Sequence, residues 1–478
     1  MGVVGQFRFA EGQSLPLEGK PWAFPRQRNT SSNPNFPGWR IPDARKELFM
    51  IHHDSSPLER SRFLYIFEAA LEYLISILVT GSFLATITKE LGISDSLTGI
   101  LSSVISLGCL FQLLSLSVRR AKVKKLVLIF SVINQFFFML LYVIPLTGAE
   151  KQIKILLFVV LICVAYIIYN FAHPKKISWL MSLVDDSGRG AFTANKEIVS
   201  LVCGMIFSFL MGAVIDRFAE SGEIRTAFIL SVAVIFILML LHTLTMIFTV
   251  EKETPNSQNG NSLIGVKELV QNKQVLKITG VFALYNISNF ASVPFYGTYQ
   301  INELGLSLKT VSVLVILGNL SRILVSRLWG KYADKKSFAA MTEKCLIFLG
   351  VSQLCALFAV PSNGMVMFAL YYFFYGVAMG GINSALINLV FDYVAPEKRS
   401  DSLAIAQAVS GLVGFLTTVC LSPLVTSVQK CNNTISGVHI YAQQLCTLIS
   451  LAFTAVSILY VRKVIIPNRK IRLQSPAE

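Results

Sequence analysis

The sequence predicts an all-α integral membrane protein with twelve transmembrane helices arranged as two six-helix halves. Of its 478 residues, 54% are hydrophobic and only 14% are charged, whereas a soluble domain has roughly 45–50% and 25%. The hydrophobic residues fall in runs of about 20 or more, and a helix of that length crosses a hydrocarbon core of about 30 Å. The runs form two sets of six with nearly equal total lengths.

The chain begins with a polar segment, residues 1–62, that we predict to be a disordered cytoplasmic tail. It contains seven of the sixteen prolines and nine Lys or Arg residues, and it has no apolar stretch of the kind found in signal peptides. Met50 shortly precedes the first apolar run, so whether residues 1–49 belong to the native protein is open at this point.

Twelve spans are expected after this tail. The first half, residues 63–250, holds spans 1 to 6, and the second half, residues 275–461, holds spans 7 to 12. A cytoplasmic linker, residues 251–274, separates the halves, and residues 462–478 form a cytoplasmic C-terminal tail. The expected ranges are 63–87, 97–118, 126–146, 153–173, 190–215, 225–250, 275–300, 308–329, 338–360, 364–393, 401–428 and 437–461.

The distribution of basic residues predicts the orientation of the spans. The tails and the even-numbered loops, counted with the adjoining span ends, hold 32 Lys and Arg residues, and the odd-numbered loops hold seven. Positively charged loops remain on the cytoplasmic side of a membrane. We therefore expect both termini in the cytoplasm and the protein in the plasma membrane, or in the inner membrane of a bacterial host.

An internal repeat relates the two halves. An offset of 210 residues aligns Arg189 with Arg399 and Gly204 with Gly414, and it gives six identities in 21 positions. Two six-helix halves in parallel orientation form an architecture that is typical of secondary transporters.

Composition and motifs exclude several other functions. The net charge of +15 arises from basic residues that lie between apolar runs, without interleaved aromatics, so nucleic-acid binding is not expected. Seven of the eight cysteines lie singly in apolar runs, and the five histidines never pair at i, i+4 within a span, so no metal site is predicted. No P-loop, HExxH or GxSxG pattern occurs, so we predict neither an enzyme nor a cofactor.

The end of span 8 carries a recognisable motif. It reads WGKYADKKS, residues 329–337, with Gly330 followed by Asp334 and Lys335. This pattern resembles the Gly-x-x-x-Asp-Arg/Lys-x-Gly loop of the major facilitator superfamily, although Ser337 replaces the second glycine. The arginine-bearing loops before spans 5 and 11 are also similar to that superfamily. The resemblance implies a set of gating residues, namely Gly330, Asp334, Lys335, Arg189 and Arg399.

The resemblance also implies an activity. A member of this superfamily would move a small organic solute across the membrane by alternating access, here with protons as the expected coupling ion. The expected partners are therefore a small-molecule substrate, protons and the lipid bilayer, with no obligate protein partner. The alternative is a transporter-like membrane receptor or scaffold that binds a ligand without net flux.

In the superfamily, spans 1, 4, 7 and 10 line the central cavity, so polar residues at mid-depth in these spans are candidates for substrate binding. Asn286 and Asn289 share one helix face, but polar pairs of this kind also join neighbouring helices in lipid. Aromatic residues in span 10 also serve in packing or interfacial belts. The candidates are Tyr166, Tyr169, Asn170, Asn286, Asn289, Tyr371 and Tyr375.

Span 1 carries a polar stripe at four-residue spacing, formed by Glu68, Glu72, Ser76 and Thr80. Glu72 is expected near the membrane midplane and Glu68 nearer the cytoplasmic boundary. A carboxyl that is neutral in one state and ionised in the other is what proton coupling requires, so Glu72 is the first candidate. Two alternatives stay open: a structural pair, with Glu72 bonded to a neighbouring span or to a buried cation such as Lys196 or Arg322, and direct binding of a cationic substrate.

Arg322 is the deepest clear cation of span 8, about 10 Å from the inner boundary, where an unpaired charge would cost several kcal/mol. It is therefore expected to pair with Asp392 or Glu343, near the inner ends of neighbouring spans. The alternative is a counter-charge for an anionic substrate.

Overall fold

The computed structural model describes residues 57–111, 123–184, 189–251, 272–394, 399–435 and 437–467. In the first half, span 1 comprises Pro57–Leu78 and Gly81–Glu90, span 2 Asp95–Leu107, span 3 Val123–Val143 with Ile144–Leu146, span 4 Lys151–Met181, span 5 Arg189–Glu220, and span 6 Ile224–Phe248. In the second half, span 7 comprises Lys273–Phe290, Val293–Thr298 and Tyr299–Glu303, span 8 Leu308–Lys335, span 9 Phe338–Leu357, span 10 Gly364–Tyr393, span 11 Arg399–Lys430, and span 12 Ala442–Tyr460 with Val461–Ile465.

These segments form twelve spans. Nine helices in the described ranges are long and apolar enough to cross a membrane, and the two parts of span 1, bent by 40°, make a tenth crossing. Span 7 is interrupted by a break, and span 2 is described only as far as Phe111. These two segments complete the twelve spans that the hydropathy pattern predicts.

Several helices extend past the apolar runs. Span 1 begins at Pro57, six residues before the expected boundary, and span 4 continues through Pro174 to Met181. Because hydropathy follows the hydrocarbon thickness, it does not detect helix that continues into polar sequence. This difference matters at Lys176, which lies within span 4 and not in the loop after it.

Two spans are broken where they approach each other. Span 1 breaks before Gly81, whose φ of 55° favours glycine. Tyr142 and Tyr166 donate hydrogen bonds to the carbonyls of Leu78 and Val79 next to this break. Span 7 breaks at Ala291 and Ser292, just before Pro294, which lacks an amide proton.

An even number of spans brings both described ends of the chain to one side of the molecule. We call the side with Pro57 and Ile465 the terminal face, and the opposite side, with Glu90 and Asp95, the far face. On the far face, the short strands Thr434–Ile435 and Val438–His439 pair antiparallel between spans 11 and 12.

Each half has its own apolar core, and the halves meet along two helix pairs and where span 7 packs against spans 1 and 2. Spans 2 and 11 touch where Ser106 donates to the carbonyl of Gly411 at 2.9 Å. Spans 5 and 8 touch where Ser312 donates to the carbonyl of Ser208 at 2.9 Å. Small residues at these contacts allow the helices to approach closely.

Candidate functional site

Four ionisable side chains from three spans of the first half meet in the membrane interior. Lys176 Nζ lies 2.5 Å from Glu68 Oε1 and 2.6 Å from Glu72 Oε2. His242 Nε2 lies 2.9 Å from the same Glu68 oxygen. We call Glu68, Glu72, Lys176 and His242 the charge cluster.

The local sequence explains how these residues come together. Glu68 and Glu72 are one helical turn apart on span 1, so they share a face. Lys176 reaches them because span 4 continues as a helix beyond Pro174. His242 lies on span 6, which packs beside span 1.

Burial differs within the charge cluster. Glu68, Lys176 and His242 are buried, whereas the Glu72 side chain is 18% exposed. A buried charge requires a partner, because removal from water costs several kcal/mol. Glu72 is therefore the most accessible member of the cluster.

The charge cluster has two acids and two basic groups. Its two carboxylates share the single ammonium of Lys176, and His242 contacts one of them. The Nδ1 atom of His242 has no hydrogen-bond partner among the described residues. Because an ionised carboxylate only accepts hydrogen bonds, the Nε2 atom is the donor to Glu68.

Metal ligation by the same residues is limited by the lysine. Ligand atoms of Glu68, Glu72 and His242 lie within 4.8 Å of one another, a spacing that a metal ion could bridge. Lys176 is bonded to both carboxylates and supplies the positive charge between them. In this arrangement the ammonium of Lys176 already occupies the position between the two carboxylates.

The expected partners of Glu72 are corrected by this geometry. The sequence pointed to Lys196 or Arg322, but the Glu72 carboxylate contacts Lys176. Lys196 lies over the ring of Tyr65, with 5.0 Å between its Nζ and the ring centroid. Lys176 was missed because it follows Pro174 in a basic stretch outside the expected span.

The expected partners of Arg322 were also wrong. Its Nη2 atom donates to Glu197 Oε1 at 2.6 Å, which joins span 8 to span 5 and not to Asp392 or Glu343. Glu343 accepts instead from Arg462, with its Oε1 2.5 Å from Nη2. The error arose because both expected acids belong to the second half, whereas Arg322 faces the first half.

The candidates of span 4 lie in different surroundings. Tyr166 and Asn170 are buried: Tyr166 packs against Phe138 in the core, and Asn170 donates to the carbonyl of Ile105 at 3.4 Å. Tyr169 is half-buried, with its ring 5.0 Å from that of His173. Of the three, Tyr169 is the one that is partly exposed, as Glu72 of the charge cluster is.

The candidates of spans 7 and 10 lie together. Asn286 is half-buried, and the buried Asn289 accepts a hydrogen bond of 3.4 Å from the Tyr375 hydroxyl. The rings of Tyr371 and Tyr375 stack with centroids 5.2 Å apart, which leaves no room for a ligand between them. Tyr371 also lines a small cavity beside Gly81 and Gly297, where spans 1, 7 and 10 meet.

The expected gating residues lie at the terminal face. Gly330, Asp334 and Lys335 are exposed at the end of span 8. Arg399 donates from Nε to the carbonyl of Val394 at 3.1 Å, so it ties the start of span 11 to the end of span 10. The side chain of Arg189 lies outside the described part of the chain, and the gating role of these residues stays a prediction.

A set of polar contacts at the far face was not predicted. Asp95, at the start of span 2, accepts hydrogen bonds from the amides of Asn302, Gln429 and Gln443 at 2.7, 2.9 and 3.3 Å. Gln429 also donates to Glu303 at 2.9 Å. We call these five residues the far-face latch, because they join the first half to spans 7, 11 and 12.

A second far-face contact caps a helix across the halves. The Asp216 carboxylate of span 5 accepts from the backbone amides of Leu308 and Lys309 at 3.0 and 2.7 Å. An acid at this position stabilises the start of span 8. The ion pair between Arg322 and Glu197 joins the halves at a point further toward the terminal face. The halves are thus held together on the far-face side.

The fold and the sequence define a transport protein. The sequence profile of the Major Facilitator Superfamily matches residues 65–418. The chain therefore belongs to this superfamily, which confirms the resemblance of the span 8 motif, and it is a membrane transporter and not an enzyme. No curated protein sequence is significantly similar to the chain.

Solved structures show the same fold. The nucleoside transporter NupG matches with a TM-score of 0.63 at 13% identity, covering 85% of this chain and 98% of its own. A D-xylose-proton symporter matches with a TM-score of 0.61 at 13% identity, covering 85% and 98%. A bacterial homologue of the human lysosomal transporter Spinster matches with a TM-score of 0.58 at 13% identity, covering 85% and 95%. At such identities the likeness concerns the fold alone.

Proposed function

We propose that this secondary transporter couples proton movement to the transport of a small organic solute, and that Glu72 carries the proton. The observation that supports the proposal is the shared lysine: Glu68 and Glu72 both contact Lys176, and only Glu72 is partly exposed. When a proton binds Glu72, Lys176 and Glu68 remain as a neutral pair. When the proton leaves, Lys176 again bridges both carboxylates.

This exchange has a physical advantage. In either state the buried Glu68 keeps its ammonium partner, so the cost of an unpaired buried charge is avoided. Only the accessible carboxyl changes its charge. Alternating access would then expose Glu72 to one side of the membrane at a time while the two halves rock about the site.

Glu72→Gln in proteoliposomes tests the proposal. We expect the substitution to abolish accumulation driven by a proton gradient and to preserve counterflow, because exchange of solute for solute requires no proton cycle. Glu90→Gln, an exposed acid at the far-face end of span 1, is the matched control. Gradient-driven accumulation that survives in Glu72→Gln would contradict the proton-carrying role.

The same assay separates the alternatives. Loss of ligand binding in Glu72→Gln would instead assign this carboxyl to a cationic substrate or to the structure of the site. A ligand that binds the wild-type protein but never shows counterflow would favour a transporter-like receptor or scaffold.

We also propose that the terminal face is cytoplasmic and that the protein lies in the plasma membrane, as the basic loops indicate. Cys431, exposed in the far-face loop before span 12, should then react with a membrane-impermeant thiol reagent in intact cells. Cys431→Ser identifies the labelled residue. Labelling that appears only after permeabilisation reverses the proposed orientation.

A further inference from the structure

The ion pair between Arg322 and Glu197 has features of a binding site. It joins the two halves at a point closer to the terminal face than the far-face contacts are. Both side chains are partly exposed, Arg322 by 25% and Glu197 by 42%. A buried structural pair is normally desolvated and bonded on all sides. This pair is not fully enclosed by the protein.

The guanidinium is also only partly used. Arginine has five N–H donors that suit two-pronged binding of a carboxylate. Among the described residues, the Arg322 side chain makes one hydrogen bond, from Nη2 to Glu197. The Glu197 carboxylate is therefore held at this guanidinium by a single hydrogen bond. The remaining N–H donors could bind a carboxylate that is placed to accept two bonds.

An aromatic residue lies near the pair. The ring of Tyr73 in span 1 packs against Gly204 of span 5, two helical turns from Glu197. Tyr73 directly follows Glu72 in span 1. A ring on this stretch of span 5 could pack against an apolar or aromatic group of a ligand.

We propose that Arg322 binds the carboxylate of a small organic acid, which displaces the Glu197 side chain. This inference rests on the proposed transport function and names its substrate class. The exchange replaces one carboxylate by another at the same guanidinium, and the displaced Glu197 side chain, which is 42% exposed, takes up water or a proton in place of its lost partner. It also releases a contact between the halves, because Glu197 belongs to the first half and Arg322 to the second. Substrate binding would thereby free the halves to move.

Thermal-shift titration of the purified full-length protein tests this site. The probes are benzoate and hexanoate at millimolar concentration, each compared with its neutral amide, and benzylamine as a cation. We expect at least one carboxylate to raise the melting temperature, with the amides and the amine inactive. Stabilisation by none of the carboxylates, or equal stabilisation by an amide, would overturn the proposal.

Two substitutions with opposite expected effects make the test specific. Arg322→Gln should weaken carboxylate binding by roughly tenfold to a hundredfold, the range for loss of a charged hydrogen bond. Glu197→Gln removes the competing carboxylate and should strengthen binding severalfold, and it remains informative where Arg322→Gln does not fold. Arg327→Gln, an exposed arginine on the same helix, is the control and should bind as the wild type does.

The outcomes distinguish this inference from the proposed function. Carboxylate binding that is unchanged in Arg322→Gln, or weakened in Glu197→Gln, removes Arg322 as the binding group. Gradient-driven transport of a neutral or cationic solute, with no carboxylate binding, would leave proton-coupled transport in place and overturn the substrate class alone.

Discussion

Lys176 is the residue on which the first half depends most, because it neutralises two acids inside the membrane domain. Its Nζ atom contacts Glu68 and Glu72, and the side chain is buried. Three spans contribute to this cluster, so the lysine also fixes how spans 1, 4 and 6 pack.

Lys176→Gln should therefore destabilise the protein strongly. Removing one partner of a buried ion pair costs about 3–5 kcal/mol, because the other charge stays buried. Thermal unfolding in detergent measures the effect, with Lys151→Gln at the exposed start of span 4 as the control. The double variant Lys176→Gln/Glu68→Gln should regain part of the loss. Equal stability of Lys176→Gln and the wild type would show that the pair does not hold the helices.

At the level of single residues, the sequence located the acids better than their partners. Glu68 and Glu72 stood out because charged residues are rare within an apolar run. Their cation was assigned by depth alone, and depth does not tell which helix faces which. The pairs of Arg322 with Glu197 and of Glu343 with Arg462 were missed for the same reason, since they depend on packing between distant segments.

The broken helices are the elements that bring the halves into contact at the far face. Gly297 of span 7 faces the backbone of span 1 so closely that an added Cβ would lie 2.6 Å from the carbonyl oxygen of Gly81. Both breaks thus place small residues where backbone meets backbone. This contact permits the closed arrangement of the far face.

Gly297→Ala should disfavour that arrangement, because the methyl group meets a backbone atom that cannot turn away. Overpacking of this kind costs about 1–3 kcal/mol, and a lower melting temperature in detergent would report it. Gly350→Ala is the matched control, because its added Cβ would meet only ordinary contacts of 3.5 and 3.7 Å. A melting temperature unchanged by Gly297→Ala would mean that the two spans separate without cost.

The elements themselves were largely predictable from hydropathy, since each span requires an apolar run of fixed length. The break in span 7 lies just before Pro294, which lacks an amide proton. The break in span 1 carries no proline, and its stabilisation by the hydroxyls of Tyr142 and Tyr166 is a tertiary effect that no local pattern shows.

For the whole molecule, the far-face latch and the Asp216 cap explain why the halves are closed on one side. All of these contacts are polar, so opening can replace them with hydrogen bonds to water. The molecule thus represents the state of a transporter that is closed at its far face, and transport requires the opposite state as well.

Distances between spin labels at both faces test alternating access most directly. One label pair, at Glu150 and Ser362, reports the far face, and another, at Lys125 and Lys336, reports the terminal face; all four sites are exposed. The exposed Cys420 and Cys431 are replaced by serine in this background. Asp95→Ala removes three hydrogen bonds to a carboxylate, each worth about 1.5–3 kcal/mol, whereas Glu90→Ala serves as the control.

In Asp95→Ala we expect the far-face distances to lengthen and the terminal-face distances to shorten within the same population, because the two halves rock as bodies. The control should resemble the wild type. If the two pairs lengthen together, or if the far face opens while the terminal face stays unchanged, the halves do not alternate and the transport mechanism proposed for this protein is wrong.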